Sequence, residues 1–567
     1  MNILGISAYY HDSAAAIIID GKVIAAAQEE RFTRVKHDNS FPLHACKYCI
    51  KEANIALEDI HQIVFYEKPF LKFERILETH IKVAPKSLKT FIQTIPLWLK
   101  SKFNMRKLIK KEISKIGKYH GSICFSEHHL SHAAFAYYTS KFKDAVILTI
   151  DAVGEWTTTS IMLGKNNNLE IIKEQHFPDS IGMLYSAFTY FLGFKVNSDE
   201  YKLMGLAPYG DNISNQTNKY IRLIEDNIVN ISNDGAIKLN MKYFTYEHSF
   251  YMINKESWED LFGISKRRED ETITQEHKNL AYAIQFILEK ILSLLCDTIQ
   301  KYSSNLCISG GTALNCSANG KLLSQSKFED IYIPFSPGDA GAAIGAALFA
   351  YYSETTIERH NNTSPYLGPM YSDDDIKCTL DTSGIEYEHI EDFSTLCIIV
   401  ANLLADGKII GWFQDRMEFG PRALGNRSIL ADPRINDMKD TINKRIKYRE
   451  SFRPFAPIVI SEYKQNYFNL TKESPYMMFT CDVIDRNLPA ITHVDNSARV
   501  QTVNRDSNPK MFMLLDTFNK RFSCPVLLNT SFNVMGEPIV CSPDDAISTF
   551  KKSGLDYCVI GNYILKK

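Results

Sequence analysis

The stretch NILGISAYYHDSAAAIIIDGKVIAAAQEE, residues 2–30, decides the fold that we predict for the amino-terminal part of the chain. Its apolar runs NILGISA, AAAIIID and VIAAAQEE each have the length and composition of a buried strand. A polar loop, Tyr9 to Ser13, separates the first two runs, and Gly21-Lys22 between the last two is a typical tight turn. The pattern therefore predicts a strand, a loop and then a β-hairpin.

The same pattern occurs a second time. DAVILTIDAVGEW, residues 144–156, is an apolar strand that ends at Asp151 and a Gly turn, and TTTSIMLG, residues 157–164, has the pattern of its hairpin partner. Actin-like ATPase folds open with a strand, a polar loop and a hairpin, and they are internal duplications. The repetition therefore favours an actin-like fold.

The overall composition excludes several classes of protein. At 567 residues the chain is too long for one core, and a formal net charge of −2 argues against a general nucleic-acid coat protein. The twelve cysteines are scattered, mostly in apolar runs, as expected for reduced thiols in the cytoplasm. Cys46 and Cys49 form one CxxC that has no partner pair for a zinc site. Because His11 and Asp12 precede any long apolar run, we expect no signal peptide. The apolar run FIQTIPLWL, residues 91–99, is too short to span a bilayer and contains a Pro, so we expect no membrane partner.

The chain divides by composition into two domains. We predict an actin-like domain over residues 1–352, a linker rich in Pro, Gly, Asn and Ser over 353–374, and a second domain over 375–567. Residues 67–118 have a helical pattern and about ten more Lys and Arg than Glu. This segment is either a solvated insertion or a basic wall for an anionic partner such as RNA. A long amphipathic helix is predicted at 274–302.

Four residues have the types that a metal ion requires. His128 and His132, in FSEHHLSHAAFAYY, are four apart, so a helix projects both rings to one side. Asp151 ends a buried strand, and Asp339 precedes an Ala/Gly-rich helix. Two imidazoles and two carboxylates suit Fe(II), Mn(II) or Zn(II). The spacing alone does not bring the four together, and two ordinary helix histidines are the simpler interpretation.

Two glycine turns and an arginine cluster indicate binding of phosphates. SGGTALN (309–315) and SPGDAG (336–341) place small residues where backbone N–H groups can approach a phosphate. Acidic residues are few among the basic residues of the second domain, so the cluster favours an anion pocket over a solvated face. The cluster comprises Arg416, Arg422, Arg427, Arg434, Lys447, Arg449 and Arg453, with Arg499, Asn529, Ser531 and Asn533 further along.

Taken in order, these motifs resemble the O-carbamoyltransferases of the nodulation and antibiotic-tailoring type. The resemblance covers essentially the whole chain and is carried by GISAYYHDSAAA, QEERFTRVKHD, HHLSHAAFA, KLMGLAPYG, SGGTALN, FSPGDAGAAIGA, MEFGPRALGNRSILADPR, FRPFAP and LNTSFN. Tyr201 departs from the pattern, which commonly has a small residue there. The basic segment 67–118 is poorly matched.

The resemblance implies an α/β protein with two modules. The first is a duplicated, actin-like domain of the ASKHA ATPase type, similar to the metal domain of the tRNA threonylcarbamoyl transferases. The second is a YrdC-like α+β domain, whose K-x-R and S-x-N motifs match Lys447, Arg449, Ser531 and Asn533. In that domain carbamoyl phosphate and ATP would give carbamoyl-adenylate. The residues implied in binding them are Arg416, Arg422, Lys447, Arg449, Arg453, Arg499, Asn529, Ser531 and Asn533.

The first module would then transfer the carbamoyl group to a hydroxyl of a small natural-product acceptor. By the resemblance, His128, His132, Asp151 and Asp339 hold Fe²⁺ or another divalent ion, and Mg²⁺ accompanies ATP. His11 is our candidate general base, since an imidazole titrates near working pH. The other implied residues are Asp12, Gly310, Gly311 and Asn315 for the nucleotide, and Lys36, His37 and Lys202 for the acceptor.

Three alternatives stay open. An RNA-modifying threonylcarbamoyl transferase would use the same two folds, and the basic segment 67–118 favours it, although the near-neutral charge makes nucleic acid an unexpected partner. A hydrogenase-maturation carbamoyltransferase would carry an acylphosphatase domain and paired CxxC zinc fingers. A non-catalytic, nucleotide-gated actin-like scaffold would have no use for the arginines of the second domain. The sequence does not name the acceptor, and a homodimer would be unsurprising.

Overall fold

The computed structural model describes residues 1–99, 104–360 and 363–567, and it forms two compact units. Unit 1 comprises residues 1–9, 14–24 and 41–363, and unit 2 comprises 10–13, 25–40 and 364–567. The loop after the first strand and the end of the first hairpin thus belong to unit 2. The predicted boundaries at 352 and 375 stay a prediction. Residues 100–103 of the predicted insertion and 361–362 of the predicted linker lie outside the described residues.

The first sheet of unit 1 contains the strands predicted from residues 2–30. Its order is β3-β2-β1-β4-β5, with β1 antiparallel to β2 and parallel to β4. The strands are β1 (Asn2–Ser7), β2 (Ala14–Ile19), β3 (Lys22–Gln28), β4 (Gln62–Phe65) and β5 (Ser122–Phe125).

The second sheet of unit 1 repeats this topology. Its order is β8-β7-β6-β11-β12, with β6 antiparallel to β7 and parallel to β11. The strands are β6 (Asp144–Ile150), β7 (Thr157–Lys165), β8 (Asn168–His176), β11 (Asn305–Ser309) and β12 (Asp330–Tyr332), and β9 (Val229–Ile231) and β10 (Ile237–Leu239) form a separate ribbon. Two sheets of the same order are the duplication expected of an actin-like fold, and this prediction is confirmed.

Nineteen α-helices are present in the described part of the chain. They are α1 (Glu30–Thr33), α2 (Leu43–Glu52), α3 (Pro69–Lys82), α4 (Leu88–Leu97), α5 (Met105–Ile113), α6 (His128–Thr139), α7 (Ile181–Phe191), α8 (Glu200–Leu206), α9 (Asn215–Leu223), α10 (Lys255–Phe262), α11 (Gln275–Ile299), α12 (Cys316–Gln325), α13 (Asp339–Glu354), α14 (Asp373–Ser383), α15 (Phe393–Ala405), α16 (Met438–Ile442), α17 (Lys464–Tyr467), α18 (Pro509–Phe522) and α19 (Pro543–Lys552). Helix α11 is the predicted long helix. By length and composition it is the one described helix apolar enough to cross a bilayer, and 67% of its most apolar window is buried inside the protein.

Close packing of α13 against α6 positions the candidate metal ligands. A Cβ atom on Gly345 of α13 would lie only 1.8 Å from the carbonyl oxygen of Ser131 in α6. Only glycine therefore permits this approach, which brings the start of α13 beside the first turns of α6.

We expect Gly345→Ala to destabilise unit 1 by about 2–3 kcal/mol, because the added methyl group must separate two packed helices. On an exposed helix the same substitution would stabilise by about 1 kcal/mol. The midpoint of chemical unfolding measures the effect. Gly338→Ala is the matched control, since its Cβ would meet nothing closer than 4.0 Å, and equal midpoints for the two variants would contradict the packing argument.

Unit 2 is built on an eight-stranded mixed sheet of order β13-β22-β21-β14-β15-β20-β16-β19, with helices packed against it. Its strands are β13 (Tyr387–His389), β14 (Ile410–Phe413), β15 (Arg427–Ala431), β16 (Ala456–Ile460), β19 (Gln501–Val503), β20 (Val526–Ser531), β21 (Tyr557–Ile560) and β22 (Tyr563–Lys566), and β17 (Thr480–Asp482) and β18 (Ser497–Arg499) form a separate ribbon. The predicted mixture of strands and helices is confirmed, and the likeness to YrdC stays a prediction.

Candidate active-site clusters

Four predicted metal ligands meet in unit 1. His128 and His132 lie on the first turns of α6, Asp151 directly follows β6, and Asp339 is the first residue of α13. Each offers one ligand atom, and these atoms all lie within 4.8 Å of one another. Both imidazoles and Asp339 are buried, and the Asp151 side chain is 16% exposed. Residues from three distant parts of the sequence thus form one cluster.

The distances fit a single divalent ion. The two Nε2 atoms of His128 and His132 are 3.2 Å apart. Asp151 Oδ2 lies 2.8 and 3.5 Å from these nitrogens, and Asp339 Oδ1 lies 3.7 and 3.3 Å from them. Ligands about 2.0–2.2 Å from a common ion are separated by about 2.9–3.5 Å, depending on geometry. The cluster therefore has the dimensions and the mixed N/O donors of a transition-metal or zinc site.

The electrostatics of the cluster favour a positive charge at its centre. Burial by itself would lower the pKa of His132, yet hydrogen bonding to the carboxylates of Asp151 and Asp339 raises it to about 9. Burial would raise the pKa of Asp151, but hydrogen bonds with His128 and His132 hold it well below its usual range. Two buried carboxylates facing two imidazoles stay ionised only if a proton or a cation offsets them.

Glu155 is a functional candidate that the sequence analysis missed. Its carboxylate accepts the backbone N–H of His128 with both oxygens, at 3.1 and 3.2 Å, and the N–H of Lys68 at 2.7 Å. The side chain is buried, and Arg75 donates to the neighbouring carbonyl of Gly154. Glu155 thus holds the first turn of α6, which carries a metal ligand. The available signal was a second acidic residue, four positions after Asp151, in the run DAVGEW.

The glycine turn after β11 lies against the metal cluster. Gly310 has φ +88°, and a Cβ there would lie 2.2 Å from the carbonyl of Ile150, so glycine is required. A Cβ on Gly311 would lie 2.9 Å from Asp151 Oδ1. Asn315 caps α12 by accepting the N–H of Ala318 at 3.0 Å. A nucleotide role for these three residues stays a prediction.

Lys202, a predicted acceptor-binding residue, lies on α8 in unit 1. Its ammonium is 3.1 Å from the carboxylate of Asp199. This ion pair accounts for the position of the side chain, and its role toward an acceptor stays a prediction.

In unit 2 the predicted K-x-R and S-x-N motifs meet. The buried ammonium of Lys447 donates to Ser531 Oγ at 3.2 Å, to Asn533 Oδ1 at 2.8 Å, to the Asn533 carbonyl at 3.0 Å and to the Ser531 carbonyl. Burial, together with the nearby cations of Arg449, Arg453 and Lys36, holds the pKa of Lys447 well below its usual range. Lys447 is buried, Arg449 and Arg453 are half-buried and Lys36 is exposed. Together they form a cationic site, and such a site attracts a phosphate.

Several arginines of the predicted anion pocket have protein partners. Arg416 donates to the carbonyls of Gly368 and Leu367 at 3.3 and 2.8 Å. Arg427 is wholly buried and donates to four backbone carbonyls. Arg434 pairs with Asp432 at 2.7 Å. The contacts of Arg416 with backbone carbonyls do not favour its anion-binding role, and that role stays a prediction.

The remaining predicted anion ligands differ in their burial and in the protein groups that they contact. Arg449 donates to Asn443 Oδ1 at 2.8 Å, and Arg453 lies 3.7 Å from Glu450. Arg422 is half-buried between β14 and β15. Arg499 is half-buried on β18, where its Nε makes no hydrogen bond to the described residues. Asn529, on β20, donates to Gln501 Oε1 at 2.8 Å, and its own buried Oδ1 accepts none from them.

The segments 10–13 and 25–40 bring further predicted residues into unit 2. His11 Nδ1 and His37 Nδ1 lie 3.0 and 2.8 Å from the two oxygens of Asp12. Burial would raise the pKa of Asp12, but these hydrogen bonds hold it well below its usual range. The carboxylate thereby orients both imidazoles through their Nδ1 atoms. His11 as a base and His37 as an acceptor ligand stay predictions.

Arg34 fixes the second of these segments to unit 2. Its guanidinium donates to the carbonyls of Ile539 and Pro538 at 2.7 and 2.9 Å and lies 3.4 Å from Asp545. Lys36, two residues further on, acts on Lys447 electrostatically. The structure thus places Lys36 with the cations of unit 2, and its predicted contact with the acceptor stays a prediction.

Comparison with known proteins identifies the family. The model for the carbamoyltransferase N-terminus matches residues 2–348, and the model for the carbamoyltransferase C-terminus matches residues 401–567. The protein sll1178 of Synechocystis is 47% identical over 100% of this chain and 97% of its own length. Nodulation protein NolNO of Sinorhizobium fredii is 37% identical over 99% of this chain and 79% of its own.

The name of a third relative includes a carbamoyl acceptor. The 3'-hydroxymethylcephem-O-carbamoyltransferase of Amycolatopsis lactamdurans is 35% identical over 46% of this chain and 48% of its own length. The two family models together cover both ends of the chain, and the motifs that they match include the clusters described above. The chain therefore belongs to the carbamoyltransferase family and is an O-carbamoyltransferase.

Proposed function

We propose that unit 2 makes carbamoyl-adenylate from carbamoyl phosphate and ATP, and that unit 1 transfers the carbamoyl group to a hydroxyl of a small-molecule acceptor. The observation that carries this proposal is the Lys447 cluster, where a buried ammonium contacts Ser531 and Asn533 among further cations. Water converts carbamoyl phosphate to carbamate and phosphate. A carbamate oxygen then attacks the α-phosphorus of ATP, and pyrophosphate leaves. Fixed cations lower the barrier because they offset the charges of both phosphorylated substrates.

The acceptor oxygen attacks the carbonyl carbon of the adenylate, and AMP leaves. A base must take the hydroxyl proton. Our candidate is His11, which Asp12 orients through its Nδ1 and which belongs to unit 2, not to the predicted first domain. His128, His132, Asp151 and Asp339 would hold a divalent ion, Fe²⁺ by the resemblance. When bound, such an ion supplies Lewis-acid polarisation.

The test of this function uses the purified protein with carbamoyl phosphate and ATP. We expect pyrophosphate and phosphate to form together, and carbamoyl-adenylate to be trapped when no acceptor is present. Pyrophosphate release without carbamoyl phosphate, or no pyrophosphate when both substrates are present, would contradict the proposed adenylate formation. A mass increase of one carbamoyl group on candidate alcohols then identifies the acceptor.

We expect Glu155→Ala to weaken divalent-metal binding by about 10- to 100-fold, the usual cost of removing a group that orients a metal ligand. Loss of the carboxylate leaves the N–H groups of His128 and Lys68 without an acceptor and loosens the first turn of α6. Metal affinity is measured by competition with a chelator, which does not depend on activity. Exposed Glu170 provides the control Glu170→Ala, and equal affinities in both variants would exclude a positioning role.

A further inference from the structure

The basic segment 67–118 contacts the metal cluster only through Lys68 and Arg75, near its beginning, among the contacts described above. The segment has 14 Lys and Arg against 4 Glu, whereas the rest of the chain has 50 Lys and Arg against 62 Asp and Glu. The positive charge is therefore concentrated here, on an otherwise acidic protein. An excess of this size in so short a segment is typical of a surface that meets an anionic partner.

The structure adds an observation that the sequence pattern did not show. Aliphatic side chains of this segment lie exposed beside the lysines: Ile81 is 66% exposed, Leu88 60%, Ile92 62% and Leu99 53%. Leu88 and Ile92 are one turn apart on α4, and Leu99 lies two residues beyond its end.

A second face of the same helical stretch contacts the protein. Ile95 and Trp98 are buried, so α4 is already anchored without using its outer stripe. Lys82, Lys86 and Lys89 are exposed next to this stripe. The result is an outward-facing aliphatic surface bordered by ammonium groups, which we call the α3–α4 surface: Ile81, Lys82, Lys86, Leu88, Lys89, Ile92 and Leu99.

We propose that the α3–α4 surface binds to the surface of an anionic lipid membrane. Aliphatic side chains enter the acyl boundary and the lysines contact lipid phosphates, which is how amphipathic helices associate with such membranes. The sequence alone predicted no membrane partner. We now propose one because these aliphatic residues are exposed.

Two other occupants fit the same surface less well. RNA is bound through arginine and stacked aromatic side chains, whereas the exposed groups here are lysine and aliphatic. A second copy of the chain would place lysines against lysines in a two-fold interface, and this repulsion disfavours it. An anionic membrane offers phosphate groups to the lysines and acyl chains to the aliphatic side chains.

The test is flotation of the full-length protein with vesicles. We expect binding to vesicles that contain phosphatidylglycerol, little binding to pure phosphatidylcholine, and release by high salt. Leu88→Gln combined with Ile92→Gln should lower the bound fraction at least tenfold. Lys86→Gln combined with Lys89→Gln should lower the partition coefficient about fivefold for each lysine removed. Ile213→Gln is the control, since Ile213 is 84% exposed outside the segment, and it should bind as the unchanged protein does.

Some outcomes would overturn the proposal. Equal binding of the unchanged protein and both double variants would show that another surface binds the lipid. A gel shift with RNA that the lysine variant loses, in the absence of vesicle binding, would assign the surface to nucleic acid. A dimer in solution that Leu88→Gln and Ile92→Gln dissociate, again without vesicle binding, would assign it to a second copy. None of these results depends on whether the proposed carbamoyl chemistry is right.

Discussion

Replacing His132 by alanine should abolish carbamoyl transfer and leave pyrophosphate formation in unit 2 unchanged. His132 Nε2 lies 3.3–3.5 Å from the carboxylates of Asp151 and Asp339, so its loss removes one of four converging ligands. We expect the divalent-metal affinity to fall by at least about 100-fold, more than is usual for an indirect contact. Transfer to the acceptor should fall in proportion.

The measurements are metal content after dialysis, carbamoylated acceptor by mass spectrometry, and exchange of labelled pyrophosphate into ATP. His129→Gln is the matched control, because His129 is the neighbouring buried histidine but bonds Ser160 at 3.1 Å. That variant should keep both metal and transfer. If His132→Ala retained metal and full transfer activity, the four residues would not form the metal site.

Replacing Lys447 by methionine should abolish carbamoyl-adenylate formation. The methionine side chain has a similar length but no charge, so the oxygens of Ser531 and Asn533 lose their donor and the phosphates lose a fixed cation. Removal of one preorganised electrostatic group costs about 10²- to 10³-fold in rate. The pyrophosphate exchange assay should therefore fall by at least about 100-fold, while metal binding in unit 1 persists.

Lys444→Met is the control for this substitution, since Lys444 is exposed on the same helical turn, Asn443–Lys447. It should retain full exchange activity. A chemical unfolding curve for each variant separates loss of catalysis from loss of folding. Normal exchange in a folded Lys447→Met protein would place the adenylate site elsewhere.

The metal cluster shows where prediction from sequence succeeds. His128 and His132 were found from their spacing on one helix, and Asp151 from its place at the end of a buried strand. Each clue is local, because the period of a helix and the end of a strand appear within about ten residues. That these residues and Asp339 share one site required the packing of α13 on α6, which Gly345 permits and which no local pattern shows.

The arginines show where prediction is incomplete. A cluster of guanidinium groups indicates that hydrogen-bond acceptors are close. These acceptors can be phosphates, but they can also be backbone carbonyls. Arg427 uses its donors on four such carbonyls. Lys447 donates to the carbonyls of Ser531 and Asn533 as well as to their side-chain oxygens. The sequence does not show these contacts, because all of the accepting carbonyls except that of Asn426 lie 12 or more positions away in the chain.

The amino-terminal hairpin shows what the local sequence determines and what only the tertiary structure determines. The sequence by itself determined the strands β1 to β3, the repetition of the first two at β6 and β7 and the residue types at both clusters, because apolar runs bounded by turn residues act over short distances. Only the tertiary structure decided that residues 10–13 and 25–40 pack with unit 2 and that Lys36 accompanies Lys447 there. Such associations depend on contacts between residues hundreds of positions apart, and local patterning does not encode these pairings.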